Sequence, residues 1–355
     1  MIHKNVFAVE GNPSVIGTGL VALDVVLNGK VTVPRLFAGG TCGNVLTVLA
    51  WLGWKAFPVA RLGADDAGRR VSTDLRRWGV HLDVARLHPR APTPIIIERL
   101  EATGDGRPQH RFSLNCPVCG SWLPRYQPVT IEAAKHALHR RKLTSVFFFD
   151  RASRGALKLA SVYEARGALI FYEPSGQASE ELFNEALELA HICKYSAEQF
   201  ESFRWKGSKR PFLEVQTMGD KGVRYRSCLP LAAQEDWQFT SASPVGVLKD
   251  SAGAGDWFSA GLIHVLGQKG VNGFKTTTTG NLRSALTLAK TIAAWSCQFE
   301  GPRGGMYAVR KAEFRKQIRF LLAGEQLPGG TARKLRSARL TNFRCPVSSC
   351  CVGSL

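Results

Sequence analysis

Short runs of β-branched and aromatic residues alternate with longer stretches of helical period along most of the chain. Residues 15–26 (VIGTGLVALDVV) predict a strand with small residues at its exit, 44–52 a helix and 55–62 another strand. The helical period over 65–79 stops at Gly79. A strand is predicted at 145–149 (SVFFF), just before Asp150, then a helix and the strand ALIFYEP, with further strands at 191–194 and 211–217. Strands that alternate with helices in this way predict a mostly parallel sheet covered on both faces. Two regions break the rhythm. Residues 93–99 and 111–114 are strand-like but separated by the turn-rich ATGDGRPQ, which predicts a hairpin outside the main sheet, and 28–37 is a segment suited to pair with it. From about residue 329 the chain has no sustained period and becomes basic and Cys/Ser-rich. The expected division is an N-terminal extension (1–14), a domain (15–328) whose lid comes from about 28–37 and 93–114, and a disordered tail (329–355).

Composition narrows the class. The chain has 355 residues, 45% hydrophobic and 21% charged, as in ordinary globular proteins, and is long enough to bury a large core. No apolar run approaches the roughly 18 to 20 residues that span a bilayer, so no membrane partner is expected. The first residues lack the basic-then-apolar pattern of a secretory signal. Nine scattered cysteines do not demand disulfides in a chain of this size, so a reduced, cytoplasmic protein is expected. The formal net charge of +19 raises the local concentration of anionic ligands, nucleotides included. Part of the excess lies late, at Arg310, Lys311, Arg315, Lys316 and Arg319 and again at Arg333, Lys334, Arg336, Arg339 and Arg344. A solvated basic surface accounts for it, and a nucleic-acid partner is not expected.

The strongest chemical signal is Asp250-Ser251-Ala252-Gly253-Ala254-Gly255-Asp256, followed by the helical run WFSAGLIHVLGQ. Small residues let successive N–H groups turn towards one anion, and the helix that starts there adds its positive end. A carboxylate at that point opposes simple phosphate binding. It makes sense if Asp256 accepts the proton of an incoming hydroxyl while Gly253, Ala254 and Gly255 stabilise charge on a transferring phosphoryl group. No Gly-Lys-[Ser/Thr] follows, so this is not a Walker A loop.

The heptapeptide, with Phe258 two places beyond its last Asp, resembles the second signature of the ribokinase-like (PfkB) family, D-[ST]-x-G-A-G-D. The resemblance extends over about residues 15–325. Gly39-Gly40-Thr41-Cys42-Gly43-Asn44 resembles the family's first signature, GGxxxN, and leads into residues 60–68 (ARLGADDAG), close to its G-x-x-G-x-D-x-x-G stretch. The resemblance implies a Rossmann-like α/β/α sandwich with a small β-sheet lid, and transfer of the γ-phosphoryl of ATP to a hydroxyl of a sugar, sugar acid or nucleoside. It implies that Asp24, Gly39, Gly40 and Asn44 bind the acceptor, with Asp24 matching a family Asp that holds two sugar hydroxyls. Thr217, Gly219 and Gly222 match the family's T-x-G-x-x-G at the ATP phosphates, and Glu198 the acidic end of N-x-x-E, which orders water around Mg²⁺. Tyr195 stands where that motif has Asn. Asp250 and Ser251 fall where some members bind a monovalent cation such as K⁺, and residues 293–305 take the place of the loops around adenine. Homodimers formed through the lid occur in the family.

Cys116 and Cys119 have the shape of one zinc knuckle, but a structural zinc site needs four ligands. Neither His110 nor Cys345, Cys350 and Cys351 in the tail complete a set, so zinc is not expected there. The alternative to a kinase is a non-catalytic protein that keeps this fold to bind a protein or nucleic acid. Tyr195, the cysteine pair and the basic charge favour it; the retained Asp256 opposes it. A dinucleotide oxidoreductase is set aside, because no G-x-G-x-x-G follows the first strand with an acidic residue at the right distance.

Overall fold

The computed structural model describes residues 6–28, 34–89, 91–102, 108–176, 178–200 and 210–325. Strand β1 (Ser14–Thr18) is almost wholly buried, and Gly19 ends it at φ 140°. A Cβ at Gly19 would lie 1.4 Å from the Asp150 carboxylate, so only glycine fits. The strand expected over 15–26 is therefore two. After the turn, β2 (Ala22–Asn28) enters a second sheet and pairs antiparallel with β3 (Arg35–Gly39). Helix α1 (Thr41–Leu52) starts three residues earlier than expected, directly after Gly40 at φ 75°. It returns the chain to β4 (Lys55–Val59), an edge strand whose Pro58 lacks the N–H that an inner strand would need.

The run 55–62 also divides, because β5 (Arg61–Gly63) leaves the main sheet to pair with β6 (Arg86–His88). Between them lies α2 (Asp66–Arg77), capped by Asp65, whose carboxylate accepts the Gly68 N–H at 2.7 Å. The predicted hairpin forms from β7 (Ile95–Ala102) and β8 (Pro108–Ser113). Strand β7 pairs parallel with β2, giving the small sheet the order β3-β2-β7-β8. Residues 29–33 of the segment expected to pair with the hairpin lie outside the described residues. Its following stretch, in β3, reaches the hairpin only through β2.

The second half builds α3 (Ile131–Arg140), β9 (Val146–Phe149), α4 (Arg154–Ala165), β10 (Leu169–Tyr172), α5 (Glu180–Leu189), β11 (Ile192–Ser196) and β12 (Leu213–Thr217). Strands β13 (Val223–Ser227) and β14 (Gln234–Thr240), not anticipated from the sequence, add an antiparallel edge. The large sheet runs β14-β13-β12-β11-β10-β9-β1-β4, parallel from β4 to β12. Its inner strands read as unbroken apolar runs because both faces are covered. Phe148 and Phe171 face one core with α1, while Phe147, Phe149 and Tyr172 face the other with α4 and α5.

Helices α6 (Ala254–Leu266), α7 (Gly270–Lys275), α8 (Thr279–Ser296), α9 (Gly304–Ala308) and α10 (Lys311–Leu322) complete the chain. Helix α6 is apolar nearly all round, as a helix buried between layers must be. The described part of the N-terminal extension docks on it: Phe7 packs on His264 and Phe314. Trp54 Nε1 donates to His264 Nδ1 at 3.2 Å, and His264 Nε2 lies 3.1 Å from the Val6 carbonyl. Burial pushes that imidazole down to about 4, so it stays neutral at pH 7. Among the described residues no helix is long and apolar enough to cross a membrane. Residues 326–355, which include the expected tail, lie outside the description.

Helices α6 and α8 cross at Gly261, where a Cβ would lie 2.7 Å from the Ala289 Cα. Gly261→Val is expected to overpack this crossing and destabilise the fold by about 2 kcal/mol. Circular dichroism should show a midpoint several degrees lower; an unchanged midpoint would contradict the close crossing.

Candidate active site

The loop 250–253 is clamped from below. Asp250 accepts the Ala252 N–H at 2.9 Å through one oxygen and the Gly301 N–H at 2.8 Å through the other. Gly253, the residue before α6, sits at φ 74°, and a Cβ there would lie 2.7 Å from Pro302. Trp257 Nε1 donates to the Pro302 carbonyl at 2.9 Å. These contacts fix the start of α6, and with it Asp256 in the first turn.

Asp256 is 8% exposed, and its Oδ2 accepts a 2.7 Å hydrogen bond from Asn44 Nδ2 on α1. Asn44 is itself held by Arg303, whose Nε donates to Asn44 Oδ1 at 3.1 Å. Arg303 is buried and also donates to the Ala38 carbonyl and, at 2.7 Å, to Asp74. Burial alone would raise the Asp74 carboxyl. Arg303 and the Tyr307 hydroxyl, which donates at 2.6 Å, outweigh it and hold the group below the usual carboxylate range. A chain Asp74–Arg303–Asn44–Asp256 thus sets the orientation of the last carboxylate.

A second set of charges lies beneath. Lys194 on β11 donates to Glu173 at 2.5 Å and to the Gly255 carbonyl at 3.2 Å, and Ser259 on α6 donates to the other Glu173 oxygen at 2.5 Å. Burial, then the Glu173 charge, pushes the Asp256 carboxyl well above its ordinary range, while Asn44 and Lys194 oppose the rise. Asp150, buried at the end of β9, adds a further negative charge and accepts the Leu20 N–H at 3.0 Å.

On the acceptor side, Asp24 of β2 lies over Gly39, where a Cβ would come within 1.7 Å of its Oδ2. That oxygen is 3.4 Å from the Gly40 N–H, and Oδ1 is buried with no hydrogen-bond partner. Burial pushes the Asp24 carboxyl up to about 7, against the pull of Gly40 and Arg303. Asp24, Gly39, Gly40, Asn44 and Asp256 thus surround one end of α1 and α6. Thr217, Gly219 and Gly222 form a separate group where β12 passes through a single 3₁₀ turn into β13, beside Glu198, whose neighbour Ala197 donates to the Thr217 carbonyl at 2.8 Å. Lys194 links the two groups through the Gly255 carbonyl.

Three positions singled out in the sequence have contacts that the motif does not reveal. The Ala254 N–H is turned onto the Ser251 carbonyl at 3.2 Å, so it is not the open donor the motif suggested. Tyr195 packs into the core on the α5 side of the sheet, with its hydroxyl donating to Glu214 at 2.6 Å. Strand alternation instead puts Ser196 on the same face as Lys194, the α6 side. Asp250 is tied to two backbone N–H groups, and its neighbour Ser251 is exposed, with Oγ 3.3 Å from His110 Nδ1. Cys116 is buried and Cys119 partly exposed after β8, and among the described residues no third His, Cys or carboxylate completes a ligand set with them. Cys345, Cys350 and Cys351 lie outside the described residues.

Sequence reasoning passed over Arg303, Asp74, Glu173 and Lys194. Lys194 carries a signal: a charge inside the apolar strand ICKYS, which nothing but a buried partner tolerates. Glu173, directly after LIFY, is a similar case. Arg303 sits in a Gly/Pro-rich loop and looks like any solvated arginine.

Comparison with known proteins agrees with this architecture. Similar solved structures include aminoimidazole riboside kinase from Salmonella enterica complexed with aminoimidazole riboside and an ATP analogue (20% identity, TM-score 0.64, covering 87% of this chain and 99% of that one). An uncharacterized sugar kinase from Pyrococcus horikoshii in complex with ATP is 21% identical, with TM-score 0.63 and coverage of 87% and 99%. Arabidopsis thaliana ribokinase complexed with ribose and ATP is 17% identical, with TM-score 0.61 and coverage of 88% and 99%. At these identities the likeness establishes the fold alone. No curated protein sequence matches the chain. The pfkB family carbohydrate kinase model matches residues 18–307, a span that includes both glycine-rich motifs, and the chain belongs to that family.

Proposed function

We propose that the protein transfers the γ-phosphoryl group of ATP to a hydroxyl of a sugar, sugar acid or nucleoside, with Asp256 as the general base. The observation that carries this is the single buried carboxylate in the first turn of α6, aimed by Asn44 and left with its second oxygen for a substrate. The acceptor hydroxyl lies between Asp24 and Asp256, its proton passes to Asp256 as the oxygen attacks phosphorus, and the β–γ bridging oxygen leaves with ADP. The Gly255 and Asp256 N–H groups in the first turn of α6 have no carbonyl partners by helix geometry, and with the helix dipole they receive the transferring phosphoryl. Gly253 lets the loop pass close to Pro302, and Gly255 leaves room for the Lys194 ammonium beneath it.

Thr217, Gly219 and Gly222 hold the remaining ATP phosphates, and residues 293–305 flank the adenine. Exposed Glu198, at the end of β11 next to Thr217, suits a hydrated Mg²⁺ ion, which neutralises phosphate charge when bound. The small sheet closes over the acceptor and excludes water, a competing acceptor. Small molecules are the expected partners, and a homodimer through the lid belongs to the same proposal.

Two experiments test this. ATP consumption against a panel of sugars, sugar acids and nucleosides should reveal one stimulating class, with Asp256→Asn lowering kcat about a thousandfold. Acceptor-dependent turnover that survives the substitution would remove Asp256 from the role of base. The pH dependence gives an independent check. The base works deprotonated, so kcat/KM falls as pH drops through its raised pKa. Glu173→Gln removes a like charge and should move the acid limb to lower pH, whereas Lys194→Met should move it higher. Shifts in the same direction would break the electrostatic account.

A further inference from the structure

The lid sheet and the loop before α6 bring together three side chains able to ligate a metal, and one of them, Glu98, has no partner. Strands β7 and β8 pair so that Leu100 faces His110 and Glu98 faces Phe112, and β2 pairs with β7 so that Val26 faces Glu98. Directly paired residues share a face, so Glu98 and His110 project from the same side of the lid sheet as Asp24. That side meets the loop holding Asp250. His110 Nδ1 is 3.9 Å from Asp250 Oδ1, and one donor atom from each of Glu98, His110 and Asp250 lies within 4.8 Å of the others.

Glu98 is the unusual member. It is only 1% exposed, and neither of its oxygens has a hydrogen-bond partner. A bare carboxylate buried in this way is strongly unfavourable unless a proton or a cation joins it. Burial, then the Asp250 and Asp24 charges and a hydrogen-bonding effect of Asp250, pushes its carboxyl up to about 9. Asp250, by contrast, already has two backbone N–H donors for its charge. His110 is partly exposed, which leaves a route from solvent.

We propose that Glu98, His110 and Asp250 form a site for one divalent transition-metal ion, with zinc as the best match, that fastens the lid to the loop leading into α6. An imidazole nitrogen beside two carboxylate oxygens suits a borderline ion such as Zn²⁺; alkali cations take oxygen ligands. Tetrahedral zinc needs its ligand atoms about 3.3 Å apart, given bonds of about 2.0 to 2.1 Å. The His110–Asp250 pair, at 3.9 Å, is close to this, and no pair has to close by more than about 1.5 Å. Three protein ligands leave zinc one coordination position for water or a ligand. The site is separate from Cys116 and Cys119, and it stands whether or not Asp256 is the base.

The test uses the full chain without nucleotide, stripped with chelator, equilibrated with zinc chloride and dialysed. Elemental analysis should find one zinc per chain. Competition titration should show that His110→Ala and Glu98→Gln each weaken binding at least tenfold, while Cys116→Ser leaves it unchanged. With Co²⁺ in place of zinc, the absorption spectrum should lack a thiolate-to-metal charge-transfer band. Glu98→Gln preserves shape, and its circular dichroism establishes that folding is intact. A wild-type chain that retains no zinc overturns the proposal, as does zinc that is lost with Cys116→Ser but kept by the Glu98 and His110 variants.

Discussion

A carboxylate held out of water at the start of an apolar helix is the constraint around which the rest of the molecule is arranged. Asp256 is followed by Trp257, Phe258 and a nearly uniform apolar run, so no solvent reaches it from the helix side. Its charge is met instead by one amide, Asn44, brought from α1 at the other end of the sequence. An amide can rotate, and the wrong rotamer would present oxygen to oxygen. Arg303 removes that freedom by donating to Asn44 Oδ1, which leaves the NH₂ group for Asp256. Arg303 is in turn charge-balanced by Asp74, so three elements and a loop are committed to the orientation of one side chain.

The Lys194–Glu173 pair follows from the same constraint. Two more charges beneath the loop look wasteful, since a buried ion pair seldom exceeds the stability of an apolar pair of equal volume. Its value is positional. Lys194 reaches the Gly255 carbonyl and Ser259 reaches Glu173, so the first two turns of α6 are held at fixed height over β10 and β11. The pair also sets opposing fields on Asp256, the Glu173 charge raising its carboxyl and the Lys194 charge lowering it.

The sandwich was legible because parallel strands buried on both faces leave unbroken apolar runs, as in VFFF and LIFY, and because helices of clear period separate them. The GAGD loop was legible because its residue types are rare together and chemically interdependent. What escaped depends on contacts far along the chain. Residues 15–26 are largely apolar, and the need for glycine at the break is visible only in space, because Asp150, more than a hundred residues later, occupies the place of a side chain at Gly19. Strand β14 reads QEDWQFT, polar and half exposed, and is a strand because β13 offers it an edge. Tyr195 was matched to a motif by position alone. The alternation of β11 decides which face it takes, and that face lies opposite the helix carrying Asp256.

The small sheet is attached unequally, and this determines which part can move. Its β2–β3 half is fixed to the segment after α8: Arg35 pairs with Glu300 at 2.5 Å, Asn28 donates to the same carboxylate at 3.1 Å, and Phe37 meets the Tyr307 ring edge-on. The Ala38 N–H adds a 2.9 Å bond to Asp74, the residue that anchors Arg303. Asp24, on β2, therefore belongs to the anchored half of the sheet. Strand β8 lies farthest from these anchors and meets the 250–252 loop through His110. A movement of β8 and the adjoining part of β7 breaks fewer of these anchors than a movement of β2 or β3. Asp24 keeps its geometry in such a movement, whereas His110 and its contact with Ser251 travel with β8.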